Sequence, residues 1–162
     1  MNLKVFFGDA RLQMDMGQRT QAALEPGLAG HDRGLCNFRV DVPFRNVGSQ
    51  ELTILDAWAR VYLPDEQYNG LHLTARVNYV DRLRDDDYFE AMLVPAGKIG
   101  TLVLRFTAAD RTGTDIGSCL QACPDVDVAV YCELRGRGAV YIDKQIFTLT
   151  MAELAALRQG GA

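Results

Sequence analysis

Apolar and polar positions take turns along most of this chain. In "NFRVDVPFRNVGSQ", residues 37–50, Phe38, Val40, Val42 and Phe44 alternate with Asn37, Arg39, Asp41 and Pro43, and the run ends at Asn46, Gly48 and Ser49. Strict period-two alternation predicts a half-buried strand. Pro43 has no N–H to donate, so the strand is expected to lie there at a sheet edge, at a bulge or near its own end. Cys36 keeps the facing of Phe38 and Val40.

The same pattern recurs. Residues 5–7 predict a first strand, and "LTILDAWARVYL" (52–63) is rich in β-formers around Trp58, although Ala57 and Ala59 also suit a helix. "LHLTARVNYV" puts Leu71, Leu73, Ala75, Val77 and Tyr79 on one face and His72 on the other. "YFEAMLV" leads to Pro95-Ala96-Gly97, which predicts a turn with proline at its second position. "TLVLRFTA" aligns Leu102, Leu104 and Phe106, and "VDVAVYCEL" aligns Val126, Val128, Val130, Cys132 and Leu134. "RGRG", from Arg135 to Gly138, predicts a hairpin turn from which "AVYIDKQIFTLT" returns.

About seven or eight short strands, with no long helices between them, predict an all-β fold: an antiparallel, immunoglobulin-like β-sandwich forming a single domain over residues 1–162. Two segments depart from the pattern. Residues 14–34 carry four glycines and Pro26 and predict a long loop, with a helical turn around Thr20 to Leu24. Loops of that length are usually functional or disordered. At the other end, Thr150-Met151-Ala152-Glu153 has the form of a capping box, with Leu149 and Leu154 placed as a hydrophobic staple. A short helix over 150–159 follows, with Leu157 on its apolar stripe and Gly160 and Gly161 ending it.

Composition narrows the functional classes. The net charge of −4 argues against nucleic acid, whose affinity comes mainly from neutralised phosphates. No run approaches the roughly 18 apolar residues of a membrane span, and "MNLKVFFGDARLQ" does not read as a signal peptide, so a cytoplasmic location is expected. Lys4, Lys98 and Lys144 are the only lysines among 17 basic residues, a bias that suggests a bacterial source.

The order Cys36…Trp58…Cys132 resembles that of immunoglobulin domains, which implies two cysteines joined across the sheets beneath a buried tryptophan. The separation is longer than in those domains, and Tyr131 adjoins Cys132 where a tyrosine corner wants it one position earlier. Without an export signal, two reduced thiols acting as small hydrophobes is the simpler reading.

Cys119 and Cys123 in "GSCLQACPD" fall on one side of a helical turn, spaced for a disulfide or for two ligands of one zinc, with His31 and Cys36 as the remaining candidates. Asp85, Asp86 and Asp87 offer oxygen ligands for calcium, although they lack the helix-loop-helix calcium pattern; a solvated turn explains them as well. No nucleophile elbow and no phosphate-cradling glycine motif is present, and no cofactor is expected. Arg135 and Arg137 at a hairpin tip suit a carboxylate or a phosphate, or simply keep a turn soluble. Trp58, Tyr62 and Tyr68, near "LPDEQYNG", offer stacking surfaces.

These residues support three functional readings. The first is a non-catalytic interaction or assembly module with a protein partner, and a homo-oligomer is one form of it. The second is a small-ligand or carbohydrate-binding domain. The third is a zinc or calcium sensor or a metal enzyme.

Overall fold

In the computed structural model, residues 11–25, 34–63, 70–111 and 115–160 are described. The strands in chain order are β1 (Leu12–Met14), β2 (Ala23–Leu24), β3 (Leu35–Asn46), β4 (Leu52–Tyr62), β5 (Leu71–Tyr79), β6 (Met92–Val94), β7 (Ile99–Asp110), β8 (Val126–Arg135) and β9 (Val140–Leu149). Two helices accompany them, α1 (Ile116–Ala122) and α2 (Met151–Gly160). Among the described residues, no helix is long and apolar enough to cross a membrane.

The first sheet has the order β1-β3-β7-β5, with β2 also on β3; the second has the order β6-β4-β8-β9. All pairings between strands are antiparallel. From β3 to β8 the chain changes sheet at every connection, and the final β8–β9 hairpin stays within the second sheet. This is the expected immunoglobulin-like β-sandwich.

Alternation explains the interior. Phe38, Val40, Val42 and Phe44 of β3 lie beside Leu102, Leu104 and Phe106 of β7, facing Val126, Val128, Val130 and Leu134 of β8. Phe38 and Phe106 are cross-strand partners whose rings stack at 4.9 Å. Each large side chain buried in this way contributes about 1.5–3 kcal/mol.

Pro43 does not sit on an edge strand. β3 is flanked on both sides, and its neighbour on the proline's side is interrupted. There β1 pairs only with residues from Phe44 to Asn46 and β2 only with Phe38 and Arg39. The missing donor falls in that gap, where the Pro43 carbonyl accepts from the Asp15 amide at 2.9 Å.

The described part of the expected loop at 14–34, residues 14–25, is more ordered than its composition suggests. It holds a 3-10 turn at Met16–Gln18, and the helical turn expected around Thr20 to Leu24 is instead the strand β2. Backbone pairing with β3 overrides the local preference there. The Pro95 turn is displaced by one position. The Lys98 amide donates to the Pro95 carbonyl at 3.1 Å, so proline is the first residue of the turn and Gly97 takes the positive φ of 78°. The strand expected at residues 5–7 lies outside the described residues.

The capping box forms as written. The Glu153 amide donates to Thr150 Oγ1 at 3.2 Å and the Thr150 amide to Glu153 Oε1 at 2.8 Å, while Leu149 and Leu154 are both fully buried. Asn46, also fully buried, donates through Nδ2 to the Val94 carbonyl and accepts the Gly48 amide, tying the end of β3 to β6 of the other sheet.

Cys36 and Cys132 both point into the core, and neither is in a disulfide. Burial pushes the Cys36 thiol up to about 11 and the Cys132 thiol up to about 12, the latter with help from Asp143 and Asp56. Trp58 is not beneath them. The β4–β8 register shifts between Ile54 and Asp56, and this bulge reverses the facing of everything after it. Leu52 and Ile54 point inward before the bulge and Ala57 after it, so Trp58 turns outward. The immunoglobulin-type tryptophan and cross-sheet disulfide are therefore absent from this sandwich, although its two-sheet form is present.

Candidate functional site

The outer faces of the two sheets differ in kind. On the first, Arg39, Arg105 and Arg76 stand directly opposite one another across β3, β7 and β5. Like charges in that register repel, and carboxylates neutralise the row. Arg39 pairs with Asp41 at 3.0 Å, Arg105 with Glu25 at 2.6 Å and with Asp85 at 3.6 Å, and Arg76 with Asp87 at 3.8 Å. The segment after β5 folds over this face. Arg105 donates to the Arg84 carbonyl, the Arg84 amide donates to Asn78 Oδ1, and Val103 and Asn78 are buried beneath.

The acidic run thus meets arginines. Asp85 faces Arg105, Asp86 forms a two-pronged pair with Arg84, and Asp87 faces Arg76. Hydrogen bonding from Arg84 holds the Asp86 carboxyl down at about 2. His72 lies on this outer face, opposite Ala109.

The outer face of the second sheet carries no such cover among the described residues. Cross-strand rows read Leu93–Thr53–Arg135–Val140 at one end, Trp58–Tyr131–Lys144 in the middle, and then Arg60–Ala129–Ile146. Trp58 and Tyr131 stack at 5.4 Å with ring planes 4° apart, Lys144 Nζ lies 5.5 Å over the Tyr131 ring, and the Tyr62 and Tyr131 hydroxyls are 3.5 Å apart. The Tyr131 hydroxyl is held below its ordinary value, first by the Tyr62 hydrogen bond and then by Lys144 and Arg60. Leu93, Val140, Ile142 and Ile146 are each about half exposed, at 53, 49, 57 and 52%.

At one end of this face a cavity of about 420 Å³ opens between Leu93 of β6 and the β8–β9 hairpin, lined also by Glu51, Thr53, Arg135 and Arg137. Neither arginine is in an ion pair among the described residues. The hairpin turn expected at "RGRG" is present, with Gly138 at φ 105°.

The structure therefore brings Trp58, Tyr62, Arg135 and Arg137 to one face, while Tyr68 and His31 lie outside the described residues. Cys119 lies on α1, and Cys123 lies buried at its end without a disulfide between them. Burial, with Cys119 nearby, pushes the Cys123 thiol up to about 11. Among the described residues, no three His, Cys, Asp or Glu side chains are grouped as metal ligands. Sequence reasoning passed over Leu93, Tyr131, Ile142, Lys144 and Ile146. One signal was available: β9 is apolar at both parities, with Val140, Ile142 and Ile146 on one and Tyr141, Phe147 and Leu149 on the other. A single core needs only one of these sets.

No protein-family model matches this chain, and no curated protein sequence matches it. Among solved structures, it is similar to the GAE domain of GGA2p from Saccharomyces cerevisiae, with 12% identity and a TM-score of 0.34 over 81% of this chain and 96% of that one. The GAE domain of yeast GGA1 matches with 10% identity and a TM-score of 0.36, over 82% and 98%. A FixG-related protein from Vibrio parahaemolyticus matches with 10% identity and a TM-score of 0.34, over 86% and 94%.

Proposed function

We propose that this chain is a non-catalytic protein-binding module and that the outer face of its second sheet receives the partner. One contrast carries the reading. The first sheet's outer face is ion-paired and covered by the chain's own segments, whereas the second presents Leu93, Tyr62, Val140, Ile142 and Ile146 to solvent beside a stacked Trp58–Tyr131 pair. Aromatic rings, arginine and aliphatic side chains on one contiguous surface are what a protein interface takes up. The stacking of Trp58 on Tyr131 occupies one ring face, which weakens the alternative of a carbohydrate platform.

The test is retention of a partner recovered from the native host and then purified. Trp58→Ala and Arg135→Glu, both on the bare face, are expected to weaken binding at least about tenfold, as central aromatic and arginine contacts do. Asp85→Asn, in the segment that covers the other sheet's outer face, is expected to leave it unchanged. Equal binding by all three variants refutes the assignment.

A further inference from the structure

The carboxylates on the first sheet's outer face fall into two groups that differ in how firmly they are held. Asp41 lies on β3 beside Arg39, and Glu25 follows β2 and meets Arg105 at 2.6 Å with 7% of its side chain exposed. These two belong to the sheet. Asp85 and Asp87 belong instead to the segment 83–88, and their side chains are 100 and 96% exposed. They reach Arg105 and Arg76 at 3.6 and 3.8 Å. Ion pairs that long and that exposed add little stability.

The segment is fixed at its ends, and its middle lies across the strands. On one side the Arg82 amide donates to the Tyr79 carbonyl at 2.9 Å; on the other, Phe89 is buried in the core. Between them Arg105 donates to the Arg84 carbonyl at 2.7 Å and Arg76 to the Asp86 carbonyl at 3.4 Å. The Arg84 amide donates to Asn78 Oδ1 at 3.3 Å. The two arginines thus meet backbone carbonyls and carboxylates from this segment, and any peptide with acids at alternate positions offers both.

The spacing makes the match specific. Arg105 and Arg76 stand directly opposite each other on β7 and β5, so their side chains start about 5 Å apart on one face. Asp85 and Asp87 are two residues apart and meet one arginine each. The chain therefore shows on its own surface how an acid–x–acid sequence sits on this pair. Lifting the segment leaves Arg39, Arg105 and Arg76 with Asp41 and Glu25, a surface with positive charge to spare. The net charge of −4 disfavours a polyphosphate there, so a carboxylate-bearing segment is the better complement.

We propose that residues 83–88 form an internal strap, and that Arg105 and Arg76 beneath it take up an acid–x–acid segment of a partner protein when the strap is displaced. The strap lowers the affinity for that segment by competing for the same guanidinium groups. This surface goes beyond the protein-binding reading of the second sheet and lies on the other outer face of the sandwich.

The test uses the whole chain and two dye-labelled peptides, one containing Gly-Asp-Ser-Asp-Gly and the other Gly-Asn-Ser-Asn-Gly, with binding read by fluorescence anisotropy. Asp85→Asn/Asp87→Asn, at exposed positions, is expected to bind the Asp peptide about fivefold more tightly than the unaltered chain, the size of exposed charge pairs that no longer compete. Adding Arg76→Gln is expected to remove that gain. In the unaltered chain, excess Asp peptide is expected to speed hydrogen exchange of the Arg84 amide, read by NMR, and the Asn peptide to leave it unchanged. Binding elsewhere on the molecule does not release that amide.

Equal affinity of the unaltered chain and the double variant, no binding by either, a gain that survives Arg76→Gln, or Arg84 exchange that the Asp peptide leaves unchanged overturns the proposal. So does tighter binding of a single-stranded oligonucleotide than of the Asp peptide by the double variant, since the arginines would then serve phosphate. In each of those outcomes the reading of the second sheet is still judged separately, by partner retention in Trp58→Ala and Arg135→Glu.

Discussion

Arg19 and Glu153 meet in a two-pronged ion pair, Nη2 to Oε1 at 2.7 Å and Nη1 to Oε2 at 3.1 Å, joining positions 134 residues apart. The carboxylate also accepts the Thr150 amide at 2.8 Å and the Ala22 amide at 2.9 Å. A single buried side chain thus caps α2, holds the segment leading into β2 and neutralises a guanidinium lying on Phe147. Burial by itself raises the Glu153 carboxyl. The Arg19 guanidinium and the two amides outweigh that and hold it below the usual carboxylate range.

Removing Arg19 leaves a carboxylate that is only 3% exposed without its cation. Arg19→Ala is expected to lower the unfolding free energy by about 3 kcal/mol. Arg19→Lys, which keeps the charge and loses the fork, is expected to fall between the two. Urea denaturation of the three proteins checks the order, and indistinguishable midpoints contradict it.

The same pair sets a pH response. Because the folded-state value of Glu153 is depressed, its contribution is fully present above the unfolded value of about 4.3 and is lost as pH falls through the lower folded value. Glu153→Gln is expected to be less stable at neutral pH and to show a shallower loss of stability below about pH 4. Melting temperatures measured from pH 7 to pH 3 give the comparison; parallel curves would remove Glu153 as a source of the slope.

Thiol reactivity is expected to divide the cysteines. Cys36, Cys123 and Cys132 are buried, with thiols pushed up to about 11, 11 and 12, so almost no thiolate is present at neutral pH. Cys119 is half-buried. Iodoacetamide labelling followed by mass spectrometry is expected to modify Cys119 first and the other three only on unfolding. Early labelling of Cys36 or Cys132 would contradict their placement.

Gly100 stands opposite Phe44 across β3 and β7, and a Cβ there would fall on the Phe44 ring. Gly to Ala in a strand with ordinary φ often stabilises by reducing unfolded-state freedom. Here overpacking reverses the sign, and Gly100→Ala is expected to cost about 1–3 kcal/mol. Adding Phe44→Leu to it is expected to cost less than the two single changes summed, which a double-mutant cycle reads directly.

Calcium is expected to leave the melting temperature unchanged at millimolar concentration. The carboxylates of Asp85, Asp86 and Asp87 each face an arginine, and a cation would have to displace Arg105, Arg84 and Arg76. A calcium-dependent rise that Asp86→Asn abolishes would restore the metal reading of this segment.

Much of this molecule was legible in the chain itself. Period-two alternation placed Phe38 through Phe44, Leu102 through Phe106 and Val126 through Leu134 on the inner faces, because the facing of a strand residue depends only on its parity. The capping box at Thr150 and the hairpin at Gly138 were likewise local, each needing only a few neighbouring residues.

Tertiary structure decided whatever depends on parity being broken or on distant strands coming into register. A bulge beside Asp56 adds one residue to one strand alone. That turned Trp58 out of the core, where immunoglobulin order would have put it, and onto the surface against Tyr131. Arg39, Arg76 and Arg105 became one row, Asp85 and Asp87 became their counter-ions, and β9 became an edge, only through the order of strands in the sheets. Side-chain alternation carries no information about which strand lies beside which. The chain therefore determined its two layers and their shared core, and the pairing of strands determined which of the two outer faces carries no cover among the described residues.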